Sequence, residues 1–250
     1  MLHAGFTANV NPFGVVYNPA SLAGSLQKLI DRQSYTEADL FLYEGVYHSF
    51  SHHSRFSGTD KAAVLEKINT RLADASDFLQ EATLLIITFG TAYVYRLAST
   101  GKTVSNCHKL PAREFEEKRL TVEQITEQWN PLIRDIRTIN PDLKILFTIS
   151  PIRHWKNGAN ANQLSKAVLL LAVDEIIQSN RQCFYFPAYE IVLDDLRDYR
   201  FYADDLIHPN SQAIAYIWEK FCGAYFDPST VELIREYEKN QKFLNHRKII

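Results

Sequence analysis

Two nearly uninterrupted apolar runs constrain this chain more than any other feature: Thr83-Leu84-Leu85-Ile86-Ile87-Thr88-Phe89 and Lys144-Ile145-Leu146-Phe147-Thr148-Ile149-Ser150. A strand with one wet face alternates apolar and polar residues. These runs do not alternate, so both of their faces must be covered, as in a parallel sheet. Parallel neighbours need a crossover between them, usually a helix. The chain supplies helical apolar spacing at 20–32, 59–79, 121–139, 160–179 and 211–225, with Thr121 opening the third and Glu123 or Gln124 near its capping-box position. Further strand candidates lie at 6–10, 39–44 and 183–187, and residues 93–110 read as an inserted hairpin. Strands alternating with helices predict a doubly wound α/β sheet.

The 250 residues suit one domain, taken as 1–227, followed by a charged helical tail at 228–250. A net charge of -2 gives no reason to expect nucleic acid or an anionic membrane surface as partner. No apolar run is long enough to span a bilayer. Three widely spaced cysteines, Cys107, Cys183 and Cys222, suggest reduced thiols. The opening Met1-Leu2-His3-Ala4-Gly5-Phe6 lacks a signal-peptide pattern, so the expected location is cytoplasmic. It reads as a helix end capped by Gly5 and running into a strand. A chain that opens on the end of an element leads us to expect further sequence ahead of residue 1.

In doubly wound sheets, ligands bind beyond the carboxyl ends of the strands. His48, His52 and His53, then Gly90-Thr91, then Arg153-His154, then Asp205-His208 all follow strand candidates. The most chemical of these stretches is Asp204-Asp205-Leu206-Ile207-His208-Pro209-Asn210. An imidazole acts as general base for a hydroxyl nucleophile when a carboxylate holds its other nitrogen in one tautomer. Asp205 is the candidate orienter and His208 the candidate base. The plainer reading makes Asp204, Asp205 and Asn210 turn and cap residues before the next helix.

A terminal Asp-x-x-His before the last helix, with glycine-bearing loops after earlier strands, resembles the SGNH/GDSL hydrolase superfamily. Within it, Asn11-Pro12-Phe13-Gly14, Tyr47-His48-Ser49-Phe50-Ser51-His52-His53-Ser54, Phe89-Gly90-Thr91-Ala92-Tyr93, Asn106-Cys107-His108-Lys109 and Ser150-Pro151-Ile152-Arg153-His154 are similar to the GSCFA family over roughly 1–227. The resemblance implies a flavodoxin-like α/β/α sandwich with a mostly parallel sheet, and ester hydrolysis by a Ser-His-Asp mechanism. It also implies an oxyanion hole drawing on Gly14, Gly90 and Thr91. The substrate is expected to be a small-molecule or carbohydrate ester, touched by Asn11, His52, His53, Arg153 and His154. No cofactor and no metal are called for, and the oligomeric state is left open.

The departures from the family pattern matter as much. The Gly-Ser-Cys-Phe-Ala phrase that names the family, with its nucleophilic serine, is absent from these residues. Aligned on Asn11-Pro12-Phe13-Gly14, the chain enters the pattern after that serine. The expectation is therefore a fold lacking its first strand, a poorly soluble short chain, and a nucleophile supplied from upstream. Ala92 stands where the superfamily places an asparagine. Three alternatives remain. The histidine loops could hold a metal, although no partner stands at ligand spacing. Ser49, Ser51, Ser54 or Ser150 could replace the nucleophile. The domain could also be a binding module without catalysis. Trp129, Trp155 and Trp218 read as packing residues.

Overall fold

The computed structural model describes residues 1–247. The chain is mixed α/β, and its contacts divide it into two compact units. One is Asn11–Tyr189; the other joins Met1–Val10 to the chain from Glu190 onward.

The Asn11–Tyr189 unit begins with helix α1, Pro19–Asp31. Its proline occupies the first turn, where a missing N–H costs nothing, and the Asn18 side chain accepts the Ser21 amide at 2.8 Å. A small hairpin follows, β1 (Phe41–Tyr43) with β2 (Val46–His48). Helix α2 spans Lys61–Glu81, capped by Asp60. Next come β3 (Leu84–Phe89), then β4 (Tyr93–Leu97), β5 (Thr103–Val104) and β6 (Phe115–Arg119). Helix α3, Val122–Ile139, carries a capping box at Thr121, and of the two candidate partners it is Gln124 that closes it. Strand β7 (Lys144–Ile149), helix α4 (Gly158–Ser179) and strand β8 (Cys183–Phe186) complete the unit.

The two apolar runs lie side by side. Strands β3, β7 and β8 form a parallel sheet in that order, with Leu84 opposite Lys144 and Ile145 opposite Cys183. Helix α3 covers one face with Trp129, fully buried, whose ring centroid lies 5.0 Å from Phe89 and 5.4 Å from Phe147. Burying side chains of this size contributes roughly 2–3 kcal/mol each, and edge-on ring contacts add about 1 kcal/mol. The Trp129 indole N–H donates to the Pro19 carbonyl at 3.2 Å, which ties α1 to α3.

The parallel sheet is smaller than the sequence suggests, and two corrections follow. Residues 6–10 form no strand. The 39–44 stretch does not join the parallel sheet; only Phe41–Tyr43 is a strand, and it turns straight back on β2. The cause is local: Glu44 and Gly45 both take left-handed φ, 48° and 76°, which makes a two-residue hairpin turn. The insertion after β3 is also larger than a hairpin. Strand β6 flanks β4 opposite β5, giving a three-stranded antiparallel sheet with Tyr93 opposite Arg119. Its sequence, Phe-Glu-Glu-Lys-Arg, carries little strand propensity and escapes a pattern search.

In the other unit, Gly5 caps a short 3-10 turn at φ 84°, as the sequence indicates. Helix α5 spans Ser211–Tyr225 with Asn210 as its cap. Helix α6, Pro228–Arg247, follows, so the charged tail is helical as far as the described residues go. Ala4, Cys222 and Ile234 form one small core in this unit, with Phe6, Trp218, Phe226 and Val231 packed against it, and Val192, Leu196 and Ala213 form another. Among the described residues, no helix is long and apolar enough to cross a membrane.

Candidate functional site

Residues 203–210 form a closed loop ahead of α5. The Ala203 amide donates to the His208 carbonyl at 2.7 Å, and the Asn210 amide donates to the Phe201 carbonyl at 2.9 Å. Leu206, at the tip, is held at φ 58°. That conformation is unfavourable for a branched side chain and persists only where the surroundings impose it. Here Asp205 imposes it. Its Oδ1 accepts the backbone amides of Ile207 and His208, both at 2.9 Å, and its Oδ2 lies 2.6 Å from His208 Nδ1. Asp205 is thus both the turn residue of the plainer reading and the imidazole's partner. The two backbone amides, His208's first, and then the imidazole hold its carboxyl down to about 2. With the carboxylate ionised, Nδ1 carries the proton and Nε2 is left as the basic nitrogen. Both side chains are about half exposed, at 56% and 47%.

In the other unit, the loop after β3 presents two adjacent amides to a single oxygen. Gly90 and Thr91 donate to the Tyr17 carbonyl at 2.7 and 3.1 Å. A Cβ on Gly90 would lie 3.0 Å from that oxygen, so glycine permits the approach. Two convergent donors are what a developing oxyanion needs, although the oxygen they hold here belongs to the chain. Gly14 has a different part. Its amide closes a turn onto the Asn11 carbonyl at 2.8 Å, and a Cβ there would come within 2.1 Å of His53 Cβ. Gly14 is required for close packing at φ 86°, and its N–H is already spent. All three amides, of Gly14, Gly90 and Thr91, are thus held by carbonyls of the chain itself in this arrangement.

The remaining candidates do not gather round one point. Asn11 sits at φ 45°, and its carbonyl also accepts from Arg55 at 2.6 Å. His52 is buried, with Nδ1 2.9 Å from the equally buried Ser49 hydroxyl and rings of Phe13, Tyr35 and Phe56 about it. Burial pulls its imidazole down to about 3, so it is a neutral packing residue. His53 accepts the Arg55 amide and caps a short turn. The Arg153 guanidinium lies 5.7 Å from the centre of the Trp155 ring, and that ring is 44% exposed rather than packed. The His154 amide donates to Asn162 Oδ1 at 3.0 Å; burial and then the Lys166 charge pull its imidazole below the usual range.

One constellation is not anticipated from the sequence. Asn162, Ser165 and Lys166 lie on a single face of α4, all buried, and each bonds the loops at the strand ends. Besides the Asn162 contact with His154, Ser165 Oγ accepts the Ala92 amide at 2.8 Å and lies 3.2 Å from Thr91 Oγ1. Lys166 Nζ donates to the carbonyls of Gly90 and Ser150, each at 2.6 Å. It is 1% exposed, and burial pulls its ammonium down to about 7. The signal was available: these residues continue the phase of Leu169, Ala172, Val173 and Ile176, the buried stripe of α4.

Among the described residues, no three His, Cys, Asp or Glu side chains are placed to hold a metal ion. The family model described as GSCFA family matches residues 1–221. No curated protein and no solved structure matches the chain.

Proposed function

From the premise that this chain belongs to the GSCFA family, we propose that it serves ester hydrolysis through a hydroxyl nucleophile activated by His208. The observation that carries this reading is the 2.6 Å contact between Asp205 Oδ2 and His208 Nδ1. It fixes the tautomer in which Nε2 takes the nucleophile's proton, and it stabilises the imidazolium formed as the acyl carbonyl is attacked. The same imidazolium then protonates the leaving alcohol, and water attacks the acyl group by the reverse sequence. The chemistry also calls for donors to a negative oxygen, and the amide pair of Gly90 and Thr91 is of that kind. The nucleophile is the serine of the Gly-Ser-Cys-Phe-Ala phrase, which these residues do not include. Two internal serines lie against histidines, Ser49 with His52 at 2.9 Å and Ser57 with His48 at 2.7 Å, but among the hydrogen bonds of the described residues no carboxylate orients either ring.

A fluorophosphonate probe tests the reading, because it labels only serines activated by a base. A chain extended ahead of residue 1 to include that phrase should be labelled at its serine, and His208→Ala should abolish labelling. Labelling that survives His208→Ala, or no labelling of that serine, would refute the proposal.

A further inference from the structure

Lys166 lies where the parallel strands end, and its Nζ bridges the two segments one residue beyond the last ladder bond, in which the Ser150 amide donates to the Phe89 carbonyl at 2.9 Å. One hydrogen goes to the Gly90 carbonyl just beyond β3 and another to the Ser150 carbonyl just beyond β7. The Gly90 carbonyl and the Thr91 N–H belong to the same peptide group. A cation on the carbonyl side polarises that group and strengthens the N–H as a donor. It also fixes the plane, so the Thr91 N–H must point away from Lys166, toward the oxygen it shares with the Gly90 amide.

A lysine is an expensive way to tie two loops. Taking an ammonium out of water without a carboxylate partner is costly, and a smaller polar residue could satisfy one carbonyl without that cost. His154, an imidazole that Lys166 also disfavours as a cation, and Tyr189, whose ring centre is 5.6 Å from Nζ, are the titratable groups facing it among the described residues. Neither neutralises it as a carboxylate would. Ser165, one residue earlier, takes up the Ala92 amide and the Thr91 hydroxyl. The seam therefore touches every residue of the turn from Gly90 to Ala92, whose first two amides the Tyr17 carbonyl holds.

We propose that Lys166 is a positioning residue: by holding the Gly90 and Ser150 carbonyls together it sets the peptide that presents the Gly90–Thr91 donor pair. The inference rests on the ester-hydrolysis reading for what the pair does, but its test needs no turnover. Lys166→Met keeps the apolar stem and removes the cation. In the 250-residue chain, the Gly90 and Thr91 amides should exchange roughly tenfold faster or more in this variant, while amides of α3 keep their protection.

The wild-type chain gives a second readout that does not depend on the variant folding. The Lys166 13Cε signal and the Thr91 amide shift should titrate with one shared midpoint, and His154→Gln should leave that midpoint in place. A Thr91 amide that is unchanged by Lys166→Met, or that titrates with a midpoint different from that of Lys166, would overturn the proposal. These results are separable from the catalytic reading. Loss of probe labelling with the Lys166–Thr91 coupling intact refutes hydrolysis alone, and labelling without the coupling refutes Lys166 alone.

Discussion

The carboxylate of Asp205 is shared between the backbone and the imidazole of His208: one oxygen takes the amides of Ile207 and His208, the other meets Nδ1 at 2.6 Å. The orienting contact and the loop geometry therefore stand or fall together. Asp205 titrates in the fold at about 2 against an ordinary value of 3.8. A depressed carboxylate contributes order that is complete above the ordinary value and lost as pH falls through the folded one. The Cγ resonance of Asp205 should titrate near 2, and the amides of 205–208 should move with it. A midpoint near 4 would mean that the contact is absent in solution.

The histidine loops predict acid sensitivity. Burial is the largest cause holding His48, His52 and His108 below their ordinary 6.5, with His52 at about 3. The fold favours their neutral forms, so their contribution is complete above about pH 6.5 and is lost as pH falls toward the folded values. For His52 alone this amounts to about a few kcal/mol. Melting temperature should drop between pH 6.5 and 4, and His52→Phe, which keeps a ring among Phe13, Tyr35 and Phe56, should flatten the slope. A melting temperature independent of pH over that range would contradict the burial of these rings.

The glycines separate steric need from convenience. Gly14→Ala should destabilise by roughly 2 kcal/mol or more, since its Cβ would collide with His53 at a positive φ. Gly24→Ala, within α1 with open space around it, should instead stabilise by about 0.5–1 kcal/mol. Denaturant midpoints of the two variants test both signs.

Much of this was legible in the residues. The parallel pairing of Leu84–Phe89 with Lys144–Ile149 followed from runs that do not alternate. A capping box opened by Thr121, with Glu123 or Gln124 as its partner, and the Asp205–His208 contact followed from spacing. What failed depended on partners rather than pattern. Residues 6–10 look like a strand, but extended apolar sequence does not say whose edge it will meet. Glu44 was invisible as a turn residue because only Gly45 advertises left-handed φ. For Gly14 and Gly90 alike, sequence shows the glycine and not the chain carbonyl that its N–H meets. Lys166 was passed over because a lysine in a helix is ordinarily a solvated one.

Ser165→Ala tests the buried seam from its other member. It leaves the Ala92 amide without its acceptor in a site closed to water. A buried amide stripped of its partner costs roughly 1–3 kcal/mol. Chemical denaturation should show that loss, and Ser165→Thr, which keeps the hydroxyl, should recover part of it. No loss in Ser165→Ala would place Ala92 in a different bond in solution.

The most direct measurement of the central claim is aryl-acetate turnover by a chain extended ahead of residue 1 to include the Gly-Ser-Cys-Phe-Ala phrase, compared with His208→Ala and Asp205→Asn. Removing one member of a catalytic unit of this kind lowers kcat by several orders of magnitude. The account predicts a kcat/KM loss of roughly 10⁴ or more for His208→Ala, and a loss of similar order for Asp205→Asn, in which an amide can hold the wrong tautomer. Turnover that persists in His208→Ala at the level of the parent chain would contradict the account.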